Sequence, residues 1–438
     1  MPGQEHVTAH GRVAQSVMPD GPELAEPGGL VVGSAPGGTD PRPSRSLAAR
    51  MDRPAVAGVA ALLAALGFVL ARLQTWAQGA ISQFILVGSH FTTPSQLPRG
   101  IAVQPSFGYD GQFFYRLALN PLNFRTTAYG ITMDRPYRYM RIGYPAATWL
   151  VSLGQHFLVP VMLVAVNVAA IGAMGWLGAV FARQGGWHAL AGLLLPGYFG
   201  LITSLARDTA EPLAAACLLG GLLAVRARRP VLAAALLAYG ALTRETVMVA
   251  VAAIAIIRIF GMLRRRHGLG RDDLAWAVPV VAFVAWQIVV KAAIGSFPLL
   301  ADGGRNAGVP FIAVFQAVKT NLANINTQQF DQYDLWLFEI AVLIAFSVAA
   351  LLSLRATNAP VHERLAFVLY LIEICVVTPS TWSSLDADLR SFVEVYVLAV
   401  IILLARPRRS TGSWLLPSLA AVTIPALIVV TQRRLTLS

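Results

Sequence analysis

Eleven apolar runs follow one another along the chain, at 54–71, 157–181, 187–205, 210–225, 231–243, 246–262, 273–294, 335–354, 363–379, 389–405 and 413–430. A helix of about 20 apolar residues spans a hydrocarbon layer of about 30 Å, so such a series constrains the fold more than any single motif. With 56% hydrophobic and only 13% charged residues, the sequence predicts an all-α polytopic membrane protein with about 11 transmembrane helices. The runs beginning at 210, 231, 246, 363 and 389 are short for a bilayer, and their ends are soft.

The formal net charge of +12 does not indicate a nucleic-acid partner, because many arginines stand at the ends of apolar runs rather than on a soluble face. With the amino terminus taken as cytoplasmic, the inner loops hold Arg183, Arg226, Arg228, Arg229, Arg264, Arg265, Arg266, Arg271, Arg355, Arg364, Arg406, Arg408 and Arg409. The short outer loops hold only Arg207, Arg244 and Arg390, and this asymmetry orients the chain. Arg433 and Arg434 then fall outside, against the trend. Cys217 and Cys375 lie inside apolar runs and read as small buried side chains, not as a disulfide framework.

Residues 1–50 are rich in Gly, Pro, Ser and Ala with no periodic apolar face, which predicts a disordered cytoplasmic tail. They lack a signal-peptide layout, so the first run is expected to stay as an anchor and 51–438 to form one transmembrane domain. Residues 72–142 read as a long first exoplasmic loop with two interfacial helices. One covers about 75–87, with Trp76, Ile81, Phe84 and Ile85 as its stripe; the other covers 111–119. Between them 93–98 is a turn, and a short apolar helix near 144–153 dips back toward the bundle. A second exoplasmic loop, 295–334, contains Gly303-Gly304 and a surface helix within 309–326. Its Asn321, Asn324, Asn326, Gln328 and Gln329 suit polyol contacts or plain solvation.

An ionisable group at a membrane helix centre costs about 2.5–3.5 kcal/mol on insertion scales, so each one asks for a partner or a function. On this topology Asp110, Asp134, Arg135, Arg138, Arg141, Asp208, Glu211, Arg244, Glu245, Asp386, Asp388 and Arg390 all fall at the outer face, where one polar site would collect them. Asp110 precedes a helical run and reads either as an N-cap or as a carboxylate able to take a proton from a hydroxyl. Arg207, Asp208 and Glu211 have spacings that put them on one helical face. Arg244 and Glu245 are adjacent, so they should find separate partners; Arg244 is expected to reach a phosphate or a carboxylate. Arg138 and Arg141 form an i, i+3 fork for phosphate oxygens, or ordinary interfacial anchors. Asp386-Ala-Asp388 could hold a divalent cation, although Arg390, four residues from both Asp386 and Glu394, makes an ion-pair ladder the simpler reading. No cofactor is assigned. Lys291, Glu339 and Glu373 lie in apolar runs and read as buried pairing. The sequence contains no P-loop, no nucleophile elbow and no His pair at ligand spacing.

Four stretches together, Gly108-Tyr-Asp-Gly-Gln-Phe-Phe-Tyr-Arg116, Asp134-Arg-Pro-Tyr-Arg-Tyr-Met-Arg-Ile-Gly-Tyr-Pro145, Arg207-Asp-Thr-Ala-Glu-Pro212 and Leu242-Thr-Arg-Glu-Thr246, carry a resemblance. Over 54–405 the chain resembles the GT-C superfamily of glycosyltransferases, and within it bacterial cell-surface glycopolymer formation proteins. The resemblance implies a GT-C-like fold in the bacterial plasma membrane, with an exoplasmic site and inverting transfer from a polyprenyl-phosphate sugar to a cell-envelope glycan or lipid. Asp110 matches the family's general base, with Arg138, Arg141, Arg244 and Arg390 facing the leaving phosphate. Gln112, Tyr115, Arg116, Asp134, Arg207, Asp208, Glu211, Glu245, Asp386 and Asp388 complete the substrate-binding candidates. Many superfamily members carry two acids in this loop, whereas Gly111 follows Asp110 here. The competing functions are a lipid-linked sugar flippase, which should show internal repeats, and a non-catalytic assembly partner.

Overall fold

The computed structural model describes residues 51–301, 308–325, 330–382, 387–407 and 414–437, with the backbone alone at 330, 331, 379 and 380. The expected amino-terminal tail, Gly303-Gly304, Asn326, Gln328, Gln329 and Asp386 lie outside the described residues. The described chain is almost entirely helical, with four two-residue strands paired as two small ladders. Five helices are long and apolar enough to cross a membrane: Pro54–Thr75, His156–Gln184, Arg271–Ile294, Gln332–Ser353 and Leu415–Thr436.

Ten of the eleven apolar runs form α-helix. They are α1 (Pro54–Thr75), α4 (Val159–Gln184), α6 (Glu211–Arg226), α7 (Pro230–Thr243), α8 (Val247–Leu263), α9 (Leu274–Ile294), α12 (Phe330–Ser353), α13 (Val361–Val376), α15 (Val393–Leu404) and α16 (Leu415–Thr436). Prolines stand in the first turns of α1, α4, α6 and α7, where a missing N–H is harmless. The run at 187–205 departs from expectation. It breaks into a 3₁₀ helix, Ala189–Leu194, and a short α5 (Phe199–Ala206), because Pro196 and Gly197 interrupt it. The remaining α-helices are α2 (Gly111–Leu119), α3 (Gly143–Val151), α10 (Pro298–Ala301), α11 (Ile312–Ala323) and α14 (Pro379–Trp382).

The loop helices correct two expectations. The interfacial helix foreseen near 75–87 is a five-residue 3₁₀ helix, Ile81–Ile85, closed by Leu86 in the left-handed region (φ 52°). Its Phe84 and Ile85 are fully buried, so they pack inward instead of facing lipid. The helix at 111–119 forms as α2, but all nine of its residues are buried. It packs against α3 and α4 as part of a core and does not lie on a surface.

Small residues allow α1 and α4 to pack closely. A Cβ on Gly175 would meet Ala61 Cβ at 2.6 Å and the Ala57 carbonyl at 2.7 Å. These helices run antiparallel, since Asp52 before α1 accepts from Arg183 (3.2 Å) and from the Ala189 amide (2.7 Å) at the far end of α4. The same end gathers Arg226, bound to Glu363 (2.5 Å) and Gln184 (2.7 Å), and Arg406, bound to Ser353 (3.0 Å).

At the opposite end Arg72, in the last turn of α1, donates to the carbonyls of Arg434 and Leu437 (2.9 Å), and Thr75 donates to Leu435 (2.7 Å). The first and last helices are therefore parallel. Arg433 and Arg434, which run against the charge trend, are not free surface charges: both are buried and pair with Asp388 (3.4 and 2.6 Å).

Candidate functional site

Glycines on both sides of Asp110 let its backbone sit where no side chain fits. A Cβ on Gly111 would meet the Arg207 carbonyl at 2.5 Å and that of Ile85 at 2.7 Å. Gly108 has φ +69° and would meet the Gly88 amide at 2.5 Å. Gln112 braces the same loop, accepting from the Gly88 amide (3.2 Å) and donating to the Phe107 carbonyl (3.0 Å). The Gly-Tyr-Asp-Gly-Gln pattern thus fixes one carboxylate in place. Asp110 occupies the N-cap position of α2 yet makes no capping hydrogen bond, so the cap reading fails for its side chain.

The carboxylate turns instead to two guanidinium groups, meeting Arg138 at 2.5 Å through one oxygen and Arg390 at 2.5 Å through the other. Arg138 also binds Asp134 (2.9 and 3.1 Å) and lies 4.2 Å over the Phe113 ring. Arg390 reaches Glu211 and donates to the Tyr109 hydroxyl (2.9 Å). Two further pairs stand nearby. Arg141 grips Glu245 (2.8 and 2.5 Å), and Arg244 grips Glu394 (3.0 and 3.1 Å) while donating to the Ser391 carbonyl (3.0 Å). Adjacent Arg244 and Glu245 thus point to different partners, as the spacing predicts.

Asp110, Tyr109, Arg390 and the Arg141–Glu245 and Arg244–Glu394 pairs share a cavity of about 560 Å³, with Arg138, Asp134 and Glu211 behind its lining. Asp110, Arg135, Arg141, Arg244, Glu245, Glu373, Arg390 and Glu394 supply its charge, with Tyr109, Tyr137 and Tyr370. Pro298, Leu299, Ile374, Val376 and Val377 supply an apolar portion. The cavity lies toward the helix ends marked by Glu211, Arg244 and Glu394, away from the end that holds Arg183 and Arg226.

Of the candidates named from sequence, Asp110, Arg141, Arg244, Glu245 and Arg390 line this cavity; Arg138 binds Asp110 and Glu211 binds Arg390, while Asp134 binds Arg138 behind them. The others stand elsewhere. Arg116 is buried and bonds the Arg125 carbonyl, and the buried Tyr115 ring belongs to the core. Arg207 does not share a helical face with Asp208 and Glu211, because α5 ends before it and α6 begins at Glu211. Its guanidinium lies 4.3 Å over the Tyr109 ring. Asp208 is fully buried with φ 47°, outside the cavity lining. The ladder from Arg390 to Glu394 is absent: Glu394 belongs to Arg244. Asp388 is held by Arg433, Arg434 and Thr203, so its oxygens are not offered to a cation. Among the described residues no group of three His, Cys, Asp or Glu could hold a metal ion.

Burial pushes the Asp110 carboxyl up, but Arg138, Arg390 and Arg141 outweigh it and hold the group well below the usual carboxylate range. Glu245 follows the same balance, with burial opposed by Arg141. Burial and then Asp110 push the Tyr137 hydroxyl up to about 12. A carboxylate whose two oxygens are both held by guanidinium is a weak base, which weighs against proton abstraction by Asp110 in this arrangement.

Sequence reasoning passed over Tyr109, Tyr137, Tyr370 and Glu373 as cavity residues and read Glu394 only as a ladder partner. The available signal was an acid inside an apolar run, which applies to both glutamates. No family model, no curated protein and no solved structure matches the chain.

Proposed function

We propose that the chain is a GT-C-like multi-pass enzyme of the bacterial plasma membrane that transfers a sugar from a polyprenyl-phosphate donor to an envelope glycan or lipid. About 11 apolar runs would cross or enter the bilayer, with the amino terminus cytoplasmic and the cavity exoplasmic. The positive-inside asymmetry supports that orientation, since Arg183, Arg226 and Arg406 gather at the end away from the cavity.

One observation carries the reading: arginines and an apolar portion meet in the same cavity at one end of membrane-length helices. A lipid phosphate needs both kinds of surface, and an acceptor hydroxyl needs a neighbouring carboxyl. Asp110 in this reading, itself held by Arg138, sets the position of Arg390, which lines the cavity and faces the charge that develops on the leaving phosphate.

The test is turnover by the full chain in lipid nanodiscs. Undecaprenyl-phosphate glucose, galactose, mannose and arabinose are offered separately with short envelope oligosaccharides and glycolipids. Acceptor-dependent release of undecaprenyl phosphate from one donor is expected. Translocation of these donors in proteoliposomes without any release would replace the transferase by a flippase.

A further inference from the structure

Among the described residues four carboxylic acids line the cavity, and three of them are already engaged. Asp110 is held by Arg138 and Arg390, Glu245 by Arg141, and Glu394 by Arg244 and by the Thr246 hydroxyl (2.5 Å). Glu373 differs. It is half-buried on α13, lines the same cavity, and makes no hydrogen bond or ion pair among the described residues. The charged groups that act on it are Glu394, Arg244 and Glu245. Its helix is tied to the turn that carries Arg244 and Glu245 by Tyr370, whose hydroxyl donates to the Thr246 carbonyl (2.9 Å). Just after Glu373 in sequence, Ile374, Val376 and Val377 form part of the apolar lining.

General base catalysis needs a lone pair free to receive a proton in the reacting geometry. Asp110, Glu245 and Glu394 would each have to give up a charge-assisted hydrogen bond first, whereas Glu373 has none to give up among the described residues. We propose that Glu373 is a catalytic residue, the carboxylate that takes the proton from the acceptor hydroxyl, an inference that rests on the transferase reading above. The acceptor oxygen forms the new bond to the anomeric carbon as its proton passes to Glu373. The bond from that carbon to the phosphate oxygen breaks, and the leaving polyprenyl phosphate keeps the electron pair. Asp110 is then a positioning residue acting through Arg390.

The experiment pairs kinetics with labelling of the intact chain in nanodiscs. With the donor that wild type turns over, Glu373→Gln lowers kcat by about 100-fold or more with KM within about threefold, and the acidic limb of the pH–rate profile disappears. Glu373→Asp restores part of kcat and that limb. Dicyclohexylcarbodiimide, which couples to unpaired membrane carboxyls, labels Glu373 in wild type, and undecaprenyl phosphate protects it. Wild-type kcat with an unchanged pH profile in Glu373→Gln, or labelling that spares Glu373, overturns the base role while leaving the transferase intact. Absence of turnover by wild type with every donor and acceptor, together with labelling that undecaprenyl phosphate does not reduce, overturns the transferase reading and the base role with it.

Discussion

Asp110 and Arg390 are 280 residues apart in sequence and meet at 2.5 Å, and the same guanidinium also holds Glu211. This contact joins the first loop to the segment before α15. Its two sides are unequal in consequence. Arg390→Ala strips a partner from both acids in a buried setting, which costs about 3–5 kcal/mol. Asp110→Asn leaves Arg138 with Asp134 and Arg390 with Glu211, so the loss is nearer about 1 kcal/mol. Thermal unfolding in detergent should therefore fall far more for Arg390→Ala than for Asp110→Asn. Equal shifts would contradict the shared-arginine arrangement.

The pH dependence of that contact has a defined sign. The Asp110 carboxyl is depressed in the folded protein, so its contribution is fully present above its unfolded value of about 4 and is lost as pH falls below it toward the folded value. The stability difference between wild type and Asp110→Asn is expected to stay flat from about pH 8 to 5 and to shrink only below about pH 4. A difference that shrinks between pH 8 and 6 would mean the carboxyl is not held by guanidinium.

Gly111→Ala tests the close backbone approach. Its Cβ would enter at 2.5 Å from the Arg207 carbonyl, and overpacking of this kind costs about 1–3 kcal/mol. Gly67→Ala, on α1 with nothing within 4 Å of the added carbon, is the control and should be neutral or stabilising by up to about 1 kcal/mol. The measurement is the unfolding temperature of each variant against wild type.

The parallel arrangement of α1 and α16 makes a prediction about sidedness. In a chain with Cys217 and Cys375 replaced by serine, single cysteines are placed at Leu122, Leu269 and Leu437, all exposed. An impermeant maleimide should reach Leu122→Cys and Leu437→Cys from one side of sealed vesicles and Leu269→Cys from the other. Labelling of Leu437→Cys together with Leu269→Cys would break the Arg72 contact as a feature of the membrane-embedded protein.

Much of the helical architecture was legible because apolar runs of helical length are a local property of the sequence, and five of the helices they form are long and apolar enough to cross a membrane. Ten of eleven apolar runs are helices, and the local breakers Pro196 and Gly197 explain the exception. The loop helices were harder to read. Helical spacing reported an apolar face on 111–119, yet it says nothing about a neighbour covering the other face, and α2 is buried all round. The candidate site was partly legible, since acids and arginines near lipid ask for partners and many lie close together. Partner choice was not legible. Arg390 was read against its sequence neighbours at four-residue spacing, whereas its partners are Asp110 and Glu211.

By itself the sequence determined the helical class, the apolar segments and the set of charged residues that lipid would not accept unpaired. Those follow from local chemistry: hydrocarbon thickness, backbone hydrogen bonding and the high energy of a bare charge. Only the tertiary structure decided which acid meets which arginine, that Arg433 and Arg434 turn inward to Asp388, and that Glu373 lines the cavity without a hydrogen bond or ion pair among the described residues. Ion pairing depends on distances of a few ångströms between residues far apart in the chain, and no local pattern encodes such distances.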